Sequence, residues 1–189
     1  MKPHSIHANR GFSLLEALIV VSMTMVIAGT SIPKMMNVLA SMEIRSATRS
    51  AAGVMQSVRM MAVKVDQYRT VRYYNAASGA IVYGDVDNNN QPGPLETQAF
   101  LGTTVLAYSA PAGIDELDAT QLSFTPSTST SITFSPTGMP CADASTCGTG
   151  VVMYFTNSRT NRTPAWGAIS ISPGGRVSTW LWNGSAWAQ

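Results

Sequence analysis

The chain has 189 residues, enough for one long helix and one modest domain. Lys and Arg number 12 against 10 Asp and Glu, and charged residues make up only 12%, so bulk charge argues neither for nucleic acid nor for acidic partners. The only histidines, His4 and His7, stand ahead of the first apolar run; if that segment is removed, no imidazole remains for general-base catalysis or metal ligation.

From Phe12 to Ile32 the sequence is apolar or small except for Glu16. About 20 helical residues cross the hydrocarbon core of a bilayer, so this run is long enough to span one. Lys2 and Arg10 precede it and Lys34 follows. An ordinary secretory signal fits poorly, because the run is too long and no small-residue cleavage site closes it. An uncleaved signal anchor fits the hydropathy. It leaves Glu16 without a role, although an ionisable group at membrane depth is costly and points to function.

Arg10-Gly11-Phe12-Ser13-Leu14-Leu15-Glu16 resembles the type III signal of type IV prepilins and type II secretion pseudopilins. The resemblance covers a short basic leader, the glycine, the phenylalanine, the glutamate four residues on and the apolar run behind it. It implies cleavage after Gly11 by a membrane prepilin peptidase, N-methylation of the new terminal Phe12, and a mature chain starting there. Pro33 also falls where helices of that family carry a proline. Cleavage would place a cationic amine four residues from Glu16. The Glu16 carboxylate of one subunit is then expected to meet the Phe12 amine of its neighbour and set the axial register of packed helices. On this reading Glu16 is an assembly residue, not a catalytic one.

Beyond the apolar run, Pro33 lacks an amide proton and is expected to kink or loosen the helix. Met35, Leu39, Met42, Ala47, Ala51, Val54, Val58, Met61 and Val65 then recur mostly three or four apart, one face of a helix predicted to reach about Val65. The C-terminal half of that stripe is read as packing against a head domain. Arg45 and Arg49 lie off it.

After Val65 the pattern becomes short β-rich runs, predicted at 67–74, 80–84, 97–108, 121–124, 131–134, 151–156, 168–171 and 176–182. Turn signals separate them at 75–79, 93–94, 126, 136–138 and 173–175. The fold class is therefore α+β: a long N-terminal transmembrane and amphipathic helix followed by an antiparallel β-rich globular head. The implied divisions are a leader over 1–11, a transmembrane helix over 12–33, an extension packed on the head over 34–65, and a periplasmic head over 66–189. This layout resembles the pilin fold of the subgroup of type II secretion protein H (GspH) and the FimT/FimU-type minor pilins. Ile132–Gly138 and Ile169–Val177 resemble recurring segments of that subgroup.

Three places in the head could carry chemistry. In GDVDNNNQPGPLE, Asp85, Asp87, Asn89, Gln91 and Glu96 fall at positions 1, 3, 5, 7 and 12 of an EF-hand-like register, the alternation of oxygen ligands that calcium uses. The glycine expected at position 6 is Asn90, a strand precedes the loop, and Asn and Asp are ordinary turn residues. A structural loop without a cofactor is the expectation, with calcium the alternative. In an oxidising periplasm, Cys141 and Cys147 are expected to form a disulfide. Two thiols without histidine fall short of a zinc site. FimT-like pilins that bind DNA carry Gly-Arg-x-Arg near the C-terminus, whereas this chain has Gly175-Arg176-Val177-Ser178. With five basic and eight acidic residues between 66 and 189, the head is net −3, and DNA contact through Arg176 is disfavoured. Trp180, Trp182 and Trp187 read as a packed C-terminal strand, with aromatic ligand binding the alternative.

The resemblance implies a non-enzymatic filament subunit anchored in the inner membrane. Its implied partners are other pilins or pseudopilins through the N-terminal helix, the prepilin peptidase/N-methyltransferase, and an inner-membrane assembly platform. A DNA-uptake minor pilin of the FimT kind is the alternative.

Overall fold

The computed structural model describes residues 13–77, 79–108, 110–142, 146–157 and 165–189; Gly11 and Phe12 lie outside them. The described chain begins with one helix, α1, over Leu14–Val65, which runs unbroken through position 33. The chain divides into two compact units after Val38. In the first unit the helical side chains of residues 14–31 are all exposed.

The second unit, Leu39–Gln189, starts with the remaining turns of α1. Here Ala40, Ile44, Ala47, Ala51, Val54, Met55, Val58 and Ala62 are buried. The centre of the predicted stripe is therefore inward, but its ends are not: Leu39, Met42 and Val65 are exposed. Ile44, Met55 and Ala62 take the inward positions instead. The stripe, spaced mostly three or four apart, drifts off the true face at its ends, because steps of three and four must alternate to follow the 3.6-residue period of the helix. Arg45 and Arg49 are exposed, off the buried face as predicted.

Among the described residues, eleven strands form two sheets. The first contains β1 (Arg69–Ala76), β2 (Gly79–Asp85), β3 (Gln98–Gly102), β6 (Ser131–Phe134) and β7 (Pro140–Cys141), in the order β3-β2-β1-β6-β7. The second contains β4 (Val105–Tyr108), β8 (Gly150–Asn157), β9 (Trp166–Ile171), β10 (Val177–Trp182) and β11 (Trp187–Ala188), in the order β11-β10-β9-β8-β4. A short β5 (Pro126–Thr128) adds to β8 in parallel. The other pairings are antiparallel, as the alternating patterns predicted.

Two expectations fail here. The run 97–108 is not one strand: Gly102, at φ +129°, breaks it into β3 and β4, which belong to different sheets. Residues 121–124 are not a strand either. Ala119–Leu122 form a one-turn helix, α2, whose Asp118 cap accepts from the amides of Thr120 and Gln121. The Gln121 side chain accepts in return from the Asp118 amide, closing a capping box. Hydrogen bonds, from the Thr120 hydroxyl first, hold the Asp118 carboxyl below its usual pKa.

One core gathers α1 with both sheets: Val71, Val82, Ile132 and Phe134 from the first, Val151, Met153, Phe155, Ile169 and Ile171 from the second. Alternate residues of the second sheet, Val152, Tyr154, Ala168 and Trp180, enter another cluster with Leu117, Leu122 and Trp187. The second sheet is thus covered on both faces, which is why every residue of β8 and β9 is buried. Two glycines let α1 come close. A Cβ at Gly84 in β2 would run into Val58, and one at Gly167 in β9 would run into Thr48 and Ile44.

Candidate functional site

The first candidate is the apolar part of α1. Leu14–Ser31 is long and apolar enough to cross a membrane, by length and composition. Its polar side chains mostly answer to their own helix: Ser22 donates to the Ile19 carbonyl, Thr24 to that of Val21, and Thr30 to those of Val26 and Ile27. These local bonds lower the cost of placing hydroxyls in hydrocarbon. Glu16, the only ionisable residue in the span, sits exposed in the first turn. A carboxylate is favoured there by the helix dipole.

In the head, the structure brings Asp85, Asp87 and Glu96 together, with one carboxylate oxygen of each within 4.8 Å of the others. Asp85 is the last residue of β2 and is buried, with Oδ2 accepting from Arg72 Nε at 2.7 Å. Glu96 closes the loop by accepting from the amides of Val86 and Gly93, both at 2.8 Å. Asn89 turns inward on the loop itself, donating to Asp87 Oδ2 and accepting from the Gln91 amide. Gln91 is exposed.

Cys141 and Cys147 are joined by a disulfide, S–S 2.05 Å, and face each other as an isolated antiparallel bridge. The closed loop is short, so replacing both with serine is expected to cost about 2–3 kcal/mol at most. Non-reducing peptide mapping and a denaturant midpoint check the bond and its weight; free thiols in protein prepared without reductant would contradict it.

Of the C-terminal tryptophans, Trp180 and Trp187 are packed and buried, while Trp182 is half-exposed. Trp180 Nε1 donates to Ser170 Oγ and Trp187 Nε1 to the Asp115 carbonyl, both at 2.8 Å. Trp182 and Tyr154 stack against Trp187 at centroid distances of 5.5 and 5.7 Å. The Tyr154 phenol accepts from the Leu117 amide, and burial pushes its pKa up to about 12. Arg176 is exposed where β10 begins, and its amide donates to Ser172 Oγ.

A residue the sequence reading missed is Arg59. Ser135-Pro136-Thr137-Gly138 and Ser172-Pro173-Gly174-Gly175 make twin turns. In each the last glycine amide donates to the serine carbonyl, and the serine amide donates to the carbonyl of the residue after the turn. Gly138 and Gly175 have φ of +77° and +82°, which suits glycine. Arg59 reaches from α1 to donate through Nε to the Gly138 carbonyl at 2.8 Å and through Nη2 to that of Gly174 at 3.3 Å. A lone arginine beside the apolar stripe, with two Ser-Pro-x-Gly segments far along the chain, was the available signal.

The family model of type II transport protein GspH matches residues 47–175, more than half of the chain. The chain belongs to the GspH family. The match takes in most of the buried part of α1, Arg59, the acidic loop, the disulfide and both Ser-Pro-x-Gly turns of this GspH-family chain. Among solved structures, the chain is similar to the type IV minor pilin FimU of Pseudomonas aeruginosa strain PAO1 in two crystal forms. In the P21 form identity is 18% over 78% of this chain and 93% of that one, with a TM-score of 0.44. In the P65 form identity is 18% over 77% and 97%, with a TM-score of 0.43. No curated protein matches. The predicted α+β class of this GspH-family protein, a helix followed by antiparallel sheets, is what the structure contains.

Proposed function

We propose that this GspH-family chain is a minor pilin or pseudopilin, made as a single-pass inner-membrane precursor with its head in the periplasm. The prepilin peptidase cuts after Gly11 and methylates Phe12. The mature subunit enters a type II secretion pseudopilus or a type IV pilus through the inner-membrane assembly platform and helps initiate or tip the filament. Its work is mechanical rather than catalytic: the apolar helix packs among those of other pilins. The observation that carries this reading is a GspH-family head on the same helix as a membrane-length apolar span bearing one carboxylate.

Processing is the direct test. Intact mass of membrane-extracted protein is expected to correspond to a chain starting at Phe12 with one added methyl group. Gly11→Leu is expected to leave all of the protein at precursor mass, since a bulky side chain at the cut site blocks the peptidase. Wild-type protein that still carries His4 and His7 would remove the reading.

A further inference from the structure

We infer that the loop after β2 is a calcium site built from Asp85, Asp87 and Glu96. The spacing of these residues raised the idea, and the arrangement of the buried Asp85 carries it. Asp85 is fully enclosed, and only one of its oxygens is used: Oδ2 accepts from Arg72, while Oδ1 is buried without a hydrogen-bond partner. Buried carboxylate oxygens are almost always satisfied, so an orphan one calls for a ligand. Asp87 and Glu96 each bring a carboxylate oxygen within 4.8 Å of one from Asp85. Three like charges that close repel each other; the Arg72 guanidinium, paired with Asp85, offsets part of this and leaves room for a further cation.

The charges facing the cluster are countable. Arg72 neutralises part of Asp85, and Arg69 donates to the Val86 carbonyl and to Gln67. Three carboxylates against these two guanidinium groups still leave negative charge for a divalent ion. The donor set is oxygen only, which favours a hard cation over zinc or copper. The loop favours calcium over magnesium: oxygens from an irregular loop suit the flexible oxygen shell of Ca²⁺, whereas Mg²⁺ demands near-ideal octahedral geometry and keeps several of its waters. The half-buried Glu96 holds the two ends of the loop through Val86 and Gly93 and stands at position 12 of the register, the place of the closing glutamate in an EF-hand-like loop. Asn90 in place of the usual glycine is accommodated, because it adopts the left-handed conformation, φ +60°, that the turn needs. With Arg72 competing for Asp85, affinity falls in the weak range of extracellular modules, about 10⁻⁴–10⁻³ M.

The test is calorimetric titration of the full chain in detergent with CaCl₂, beside thermal unfolding with and without the ion. Saturable binding and a raised midpoint are expected, with MgCl₂ at the same concentration giving neither. Asp87→Asn is expected to weaken binding about tenfold or more. Asp87 is exposed and asparagine is close to it in size, so the variant is expected to fold, and its own calcium-free midpoint is the baseline for any rise with the ion. Glu96→Gln, which retains an oxygen acceptor in the loop, provides the second variant and is expected to weaken binding similarly. No saturable heat up to about 10 mM CaCl₂, far above the affinity expected of such a loop, would overturn the site. Equal effects of MgCl₂, or unchanged affinity in both variants, would overturn it as well.

Discussion

Glu16→Ala is expected to reach the membrane at the wild-type level and to be missing from sheared filaments. Alanine makes the span more apolar, so insertion does not suffer. In the proposed assembly the Glu16 carboxylate neutralises the Phe12 amine of a neighbouring subunit. Removing it leaves an unpaired cation among apolar helices. Breaking such a pair typically costs about 3–5 kcal/mol, a hundred- to several-thousand-fold loss in the equilibrium for incorporation. No residue of the head contacts are changed, so any effect on head stability would point elsewhere. The measurement compares variant and wild type, expressed side by side, in the membrane and filament fractions. Equal incorporation at equal membrane levels would return the apolar run to the role of a plain anchor.

The second large effect is expected at Gly167, the second residue of β9. Thr48 and Ile44 of α1 occupy the space a Cβ would need, and Leu181 lies 3.6 Å from it. The Thr48 hydroxyl is committed to the Ile44 carbonyl at 2.7 Å, so it does not swing away freely. Gly167→Val forces the helix off the second sheet, where Ile169 and Ile171 also meet it. Overpacking of this kind costs about 1–3 kcal/mol at ordinary core sites, and contact with a helix on a central strand puts Gly167 at or above the top of that range. Gly53 offers the opposite case. It is an exposed helical position with open space around its would-be Cβ, so Gly53→Ala is expected to stabilise by about 0.5–1 kcal/mol. Urea midpoints of the two variants against wild type check both signs together.

Much of the architecture was legible because periodicity is local. The apolar span and the middle of the buried helical stripe, Ala47, Ala51, Val54 and Val58, follow from spacing alone. So do the patterns of β1, β2, β6, β8, β9 and β10. The failures have local causes that compete with hydrophobic pattern. Asp118 and Gln121 write a capping box over a segment that also reads as β, and the box wins because it satisfies the amides at the start of α2. Gly102 divides an apparently continuous strand. Pro126 reads as a turn but opens β5, at the first position of a strand, where its missing amide does no harm. The acidic loop was legible as a register of oxygens; the unpartnered Oδ1 that distinguishes it from an ordinary turn depends on Arg72, across the β1–β2 pair. The role of Arg59 was signalled only by a lone arginine and two distant Ser-Pro-x-Gly segments, and nothing local joins them, since its two acceptors lie 79 and 115 residues away.

Those separations also set an order of events during folding. The ribosome delivers α1 first, with β1 and β2 close behind, but both acceptors of Arg59 and the strand β9 that meets Ile44 and Thr48 come from the second half of the chain. Until residues near 175 have emerged, the inner face of the helix is only partly covered. Contacts this distant in sequence close slowly, placing the head with domains that fold over milliseconds to seconds rather than with fast helical bundles. For that interval the newborn subunit is a long apolar helix with an unfinished head, and its survival depends on how well the surroundings shield it from other copies.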